Sequence, residues 1–218
     1  MYTLSFNRSE QSLRSALFLG AHCDDIEIGC GSTILRLVET YPDLEITWIV
    51  FSSDKVRAKE TVSSSEMFLG PVRKKSLEIN EFRNGYFPHV GSEIKDYFED
   101  LKTRVQPDII FSHYKDDLHQ DHRIIAELTW NTFREHWILE YEIPKFDGGL
   151  GSPNLFVPAS VDHVEQKSDL LLTCYKTQTK RPWFSRSTFD ALMRLRGIEC
   201  NSESGYAEAF YSRKTVLS

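Results

Sequence analysis

The segment Leu19-Gly20-Ala21-His22-Cys23-Asp24-Asp25-Ile26-Glu27-Ile28-Gly29-Cys30-Gly31-Ser32 sets a histidine and two adjacent carboxylates between an apolar run and a pair of glycines. Ala16 to Gly20 reads as a buried strand. The glycines, followed by Ile34, Leu35 and Val38, read as the start of a helix over Ser32 to Thr40. His22 and Asp25 then fall at the carboxyl end of a strand, where open α/β sheets build their sites.

Outward from this segment the same rhythm repeats. Glu45 to Phe51 reads as a strand, Lys55 to Leu69 as a mostly helical segment closed by Gly70-Pro71, and Lys75 to Phe82 as an alternating strand. Gly91 to Val105 is helical, with Ile94, Phe98, Leu101 and Val105 on one stripe. Ile109 to Ser112 gives the next strand and His122 to Phe133 the next helix. Trp137 to Pro158, punctuated by Pro, Gly and Asn, reads as a long substrate-shaping loop with edge strands. Helical periodicity resumes over Asp162 to Thr173 and Thr188 to Leu195. Strands alternating with helices predict an α/β fold, a mostly parallel sheet flanked by helices. The 218 residues suffice for a single domain spanning 1–218.

A second cluster, Asp116-Asp117-Leu118-His119-Gln120-Asp121-His122, follows the apolar run Pro107 to His113. Of seven histidines, His22, His113, His119 and His122 fall in these two stretches, which points to one shared site. His22, Asp25 and His122 would supply two nitrogens and a carboxylate oxygen and leave a fourth position open, as catalytic zinc requires. The same donors suit ferrous iron; zinc is the expectation. Asp24 would face the bound water, take its proton and later deliver it to a leaving amine. His119, kept protonated by Asp121, would stabilise an oxyanion. An Asp-rich turn is often only a helix cap, but capping leaves the paired histidines unexplained.

Twenty-six basic against 32 acidic residues, a net charge of -6, disfavour a nucleic-acid partner. Cys23, Cys30, Cys174 and Cys200 form no C-x-x-C and suggest reduced thiols rather than a disulfide framework. Met1 to Arg14 lacks the pattern of a signal peptide, and no run approaches the ~18 apolar residues of a membrane span. A cytoplasmic protein without a membrane anchor is expected.

Ala21-His22-Cys23-Asp24-Asp25-Ile26-Glu27-Ile28-Gly29 resembles the A-H-[PA]-D-D-x-E-x-G signature of the LmbE-like, or PIG-L, de-N-acetylases, and His119-Gln120-Asp121-His122 resembles their H-P-D-H. Weaker echoes lie in Arg57-Ala58-Lys59-Glu60, Pro107 to Ser112 and Tyr206 to Phe210. The resemblance implies a Rossmann-like α/β fold and zinc-dependent hydrolysis of an N-acetyl group from an amino sugar or its conjugate, releasing acetate. It carries over His22, Asp25 and His122 as metal ligands, Asp24 as base, and His119 with Asp121 as the oxyanion-stabilising pair. By the same analogy Arg57 contacts substrate, although an Arg-x-x-Glu is as often a surface ion pair. A homo-oligomer is implied at family level only. Cys23 replaces the usual Pro or Ala, and Ser32, in place of a second glycine, is expected to cap the helix.

Three other readings compete. A nucleotide-binding module would need G-x-G-x-x-G between strand and helix, and carboxylates at that turn would repel a pyrophosphate. The same metal site could hydrolyse another amide or a phosphoester. A binding subunit that has lost activity is opposed by the complete motif set. The expected partner is a small N-acetylated sugar, in a soluble conjugate rather than a lipid-linked one, with the loop around Tyr141, Phe146, Asp147, Gly148, Gly149 and Asn154 shaping specificity.

Overall fold

The computed structural model describes residues 13–70 and 72–216; the readings of residues 1–12 and of Pro71 lie outside them. Strand β1 (Ser15–Gly20) leads into α1 (Asp25–Thr40). The alternation continues through β2 (Glu45–Val50), α2 (Lys55–Phe68), β3 (Lys74–Ile79), α3 (Gly91–Arg104), β4 (Ile109–His113), α4 (Gln120–Thr132) and β5 (Trp137–Tyr141). β6 (Leu155–Pro158), α5 (Val161–Cys174), α6 (Arg186–Glu199) and β7 (Ala207–Ser212) follow. One seven-stranded sheet has the order β3-β2-β1-β4-β5-β7-β6. β1 to β5 pair in parallel, while β7 runs antiparallel to both β5 and β6. The expected α/β domain with a mostly parallel sheet is the one that forms.

Because β2 and β3 lie on one side of β1 and β4 and β5 on the other, the winding reverses between β1 and β4. At such a point the loops leaving two neighbouring strands part toward opposite faces and open a crevice at the carboxyl ends. Both sequence clusters leave from these two strand ends. The sheet is covered on both faces, so its central strands are apolar at successive positions. Phe18, Trp48, Phe111 and Phe210 pack with α1, α2, α5 and α6 on one face. Leu17, Leu19, Ile49, Phe51 and Ile110 pack with α3 and α4 on the other.

Three readings of the sequence are corrected. α1 begins at Asp25 rather than near Ser32, so Gly29 and Gly31 lie inside the helix and serve close packing. A Cβ on Gly29 would sit 2.2 Å from Cδ2 of Tyr141, and one on Gly31 3.0 Å from Cγ of Lys167. Ser32 caps nothing: its amide and that of Thr33 donate to the Glu208 carboxylate at 2.9 and 2.7 Å. Lys167 Nζ donates to the carbonyl of Ile28 and to Glu208, each at 2.7 Å, so a buried ion pair serves backbone groups in mid-helix. Finally, β5 is an interior strand and not part of a loop with edge strands, and β7 beside it has no counterpart in the sequence reading. Among the described residues no helix is long and apolar enough to cross a membrane.

Candidate metal centre

The turn after β1, the first residue of α1 and the first turn of α4 bring His22, Asp25 and His122 together. His22 Nδ1 and His122 Nε2 lie 3.2 Å apart, and Asp25 Oδ2 lies 3.3 and 3.4 Å from them. A tetrahedral zinc ion with arms of about 2.0–2.1 Å spaces its ligand atoms about 3.3 Å apart. The three side chains are buried, and the nearly equilateral triangle of their donor atoms matches one face of a tetrahedron. The donor set therefore fits a zinc-sized cation.

A further layer of contacts fixes these donors. Asp117 Oδ2 accepts from His122 Nδ1 at 3.0 Å and from Lys145 Nζ at 2.7 Å. The hydrogen on Nδ1 leaves the Nε2 lone pair facing the triangle. Burial, then repulsion from His113, pushes His122 down to about 3, so its imidazole is neutral. Burial would raise Asp117, but His122 and Lys145 outweigh it and hold the carboxyl at about 2. Burial would lower His22, yet Asp25 and Asp121 raise it to about 9. A cation arriving at Nδ1 would replace the proton this histidine shares with its carboxylates. Asp25 is held well below the carboxylate range, its burial overcome by His122, His113 and His22.

Asp24 occupies the N-cap position of α1 without making a side-chain cap, which removes the capping explanation for it. Its Oδ1 accepts from Arg57 Nη2 at 2.6 Å. Asp54 is the true cap of α2, taking the amides of Val56 and Arg57 at 2.8 and 2.9 Å, and so aims Arg57 at the crevice from the first turn. No surface Arg57–Glu60 pair forms; Glu60 takes the amide and hydroxyl of Thr177. Arg57 Nε is buried without a partner. Burial raises Asp24 above its ordinary value, and Arg57 opposes it most strongly.

Asp121 departs from expectation. Its carboxylate accepts from the amides of Gly85 at 2.6 Å and Phe87 at 3.2 Å and meets His22 Nε2 at 3.2 Å, rather than bonding His119. It orients the His22 ring, one of the three candidate donors. His119 is the N-cap of α4: its Nδ1 accepts the amide of Asp121 at 3.3 Å, which leaves the ring hydrogen on Nε2. Burial, then His22, lowers His119 from its ordinary value, so a neutral imidazole is favoured over the expected imidazolium.

The sequence model of the family described as PIG-L, GlcNAc-PI de-N-acetylase, matches residues 17–133, more than half of the chain. The chain belongs to the PIG-L family. Its fold is similar to that of the conserved protein TT1542 from Thermus thermophilus, at 20% identity and a TM-score of 0.72, covering 94% of this chain and 97% of that one. It is also similar to the N,N'-diacetylchitobiose deacetylase of Pyrococcus horikoshii, at 18% identity and 0.69, covering 94% and 86%. GalB, the 4-carboxy-2-hydroxymuconate hydratase of Pseudomonas putida, is similar at 16% identity and 0.75, covering 94% and 98%. A hydratase and a deacetylase on one fold mean that reaction must be argued from the site.

Four more residues surround this PIG-L site: His113 and Asp117, which the sequence places in the second cluster without a role, Tyr141, which it places only in a specificity-shaping loop, and Lys145. His113 stacks on His122 at 3.9 Å between centroids, and its Nε2 accepts the Ala21 amide at 2.9 Å and lies 3.2 Å from Asp25 Oδ2. Tyr141 donates its hydroxyl to Leu19 O at 2.6 Å, beside His113. The density of His and Asp between positions 113 and 122 is a signal for His113 and Asp117. Lys145, beyond the family match, carries none.

Proposed function

We propose that this protein is a zinc-dependent de-N-acetylase that hydrolyses the acetamide of an amino sugar or amino-sugar conjugate and releases acetate. The observation that carries the reading is the triangle of His22, Asp25 and His122 with the Asp24 carboxylate, bound to nothing but Arg57, beside it. Family membership supports the choice of an N-acetyl group. Zinc held by the three donors would polarise the acetamide and lower the pKa of water toward ~7.

The chain's own groups divide the remaining work. Asp24 takes the proton of the attacking water and passes it to the departing amine, so that one carboxylate serves as base and then acid. Arg57 fixes the rotamer of Asp24, and its unpartnered Nε is a donor for substrate. His119, with hydrogen on Nε2, donates to the oxyanion of the tetrahedral intermediate, an interaction worth about 100- to 1000-fold in rate. Asp121 and Asp117 hold His22 and His122 in their ligating orientations.

Elemental analysis of wild type and His22→Ala, followed by acetate release from a panel of N-acetylated amino sugars, tests the reading. About one zinc per chain, lost in the variant, together with acetate from a panel member is expected. Iron instead of zinc would change the metal alone. No metal after reconstitution, or phosphate release from esters without acetate from amides, would overturn the proposal.

A further inference from the structure

β1 keeps its two neighbours for different lengths. Its ladder with β2 runs to Gly20↔Val50, and just beyond it Ser52 donates its amide to the carbonyl of Ala21 at 2.9 Å. Its ladder with β4 stops at Phe18↔Phe111, although β1 continues to Gly20 and β4 to His113. On this side, where the winding reverses, the Ala21 amide meets no β4 carbonyl. A side chain takes it instead: His113, the last residue of β4, accepts the amide at Nε2, 2.9 Å away. The residue before His22 is thus gripped from β4 and from the end of β2. His22 in turn donates its own amide to Asp25 Oδ2 at 2.7 Å, so the grip passes to two of the three candidate metal donors.

Accepting an amide hydrogen requires the lone pair on Nε2 and leaves the ring hydrogen on Nδ1. Nδ1 is buried without a partner. A buried N–H that meets no acceptor is destabilising. A phenylalanine would fill the same space, stacked on the His122 ring at 3.9 Å between centroids, without that cost. What the imidazole adds to the fully buried position is therefore the acceptor and not the ring.

We propose that His113 is a positioning residue for the metal centre. Its Nε2 replaces the carbonyl that β4 no longer supplies where the strands part, and holds the Ala21–His22 turn so that His22 and Asp25 meet His122 around one cation. This rests on the metal-centre reading above.

Two variants separate the acceptor from the ring. His113→Gln keeps an acceptor near the place of Nε2 and loses the stacking on His122, whereas His113→Phe keeps a ring and loses the acceptor. Zinc affinity is read by chelator competition, donor geometry by the absorption bands of cobalt(II) bound in place of zinc, and packing by the Tm of the metal-free protein. His113→Phe is expected to weaken zinc binding about 10- to 100-fold and to change the cobalt(II) spectrum, while His113→Gln stays within about threefold of wild type. A role in packing alone predicts the opposite order, with the phenylalanine variant closer to wild type. The ring-nitrogen NMR shifts of His113 should show hydrogen on Nδ1 and none on Nε2. Zinc held as tightly by His113→Phe as by wild type, a His113→Gln variant no better than His113→Phe, or a ring hydrogen on Nε2, given to Asp25 Oδ2 at 3.2 Å, would overturn the proposal and leave the metal centre standing. A wild type that binds neither zinc nor cobalt(II) would sink the metal-centre reading itself, and the proposal with it.

Discussion

Residues 17–133 and residues 134–216 contribute to the crevice in different ways. The first stretch carries His22, Asp24, Asp25, Arg57, His119, Asp121 and His122, every residue given a chemical task. The second carries none of these, yet Tyr141 covers Gly29, Lys145 bonds Asp117, and Lys167 and Glu208 serve the interior of α1. Reactive groups sit in short motifs because they must leave adjacent strand ends together. Support comes through single contacts from distant sequence, each of which leaves no pattern. The comparison teaches that the family match delimits the chemistry and not the machine that holds it.

The sharpest way to break this division is Asp24→Asn. Turnover should fall about 100- to 10,000-fold while metal content and thermal stability hold. Retained activity in that variant would remove the base from the first region. Next is Lys167→Met, which leaves Glu208 buried without its partner. Breaking such a pair costs about 3–5 kcal/mol, which in a domain of this size lowers Tm by about 10 °C. Adding Glu208→Gln should recover part of the loss, because the uncompensated charge is gone. An unchanged melting curve for Lys167→Met would show that α1 does not depend on the second region.

A smaller effect is expected from Lys145→Ala, which frees Asp117 and should weaken metal binding about tenfold, read by chelator competition. The smallest comes from Glu78, within the first region. Burial would raise its carboxyl, but Arg104 and Tyr97 prevail and lower it below its ordinary value. Its contribution is therefore present above the unfolded-state pKa and lost as pH falls through the folded value. Glu78→Gln should flatten the acid limb of stability by less than ~1 kcal/mol, measured by denaturation from about pH 6 to 3.

Much of this is legible in the sequence because both clusters adjoin apolar runs that are buried on both faces. Phe18 and Leu19 of β1, or Ile110 and Phe111 of β4, can be read as interior strands without knowing their neighbours. The stripe of Ile94, Phe98 and Leu101 gives α3 in the same way. What stays hidden depends on partners far along the chain. β5 and β7 carry the buried carboxylates Glu140 and Glu208, whose satisfaction by Arg213 and by the amides of α1 cannot be seen locally. Local reading pairs Asp121 with His119, two residues away, when its carboxylate meets His22, ninety-nine positions distant. Glycines 29 and 31 read as a helix start because Tyr141 and Lys167, which require their small size, lie more than a hundred residues later.

The engagement of Ser32 and Thr33 by Glu208 also sets an order of events during synthesis. The helix that carries Asp25 leaves the ribosome early, but the carboxylate that meets its amides is translated 176 residues after Ser32. Domains form as their contacts become available, and contacts this remote in sequence form late. A nascent or prematurely terminated chain lacking β7 would therefore hold Asp25 on an unfinished helix, so that capture of the proposed cation would mark a finished chain.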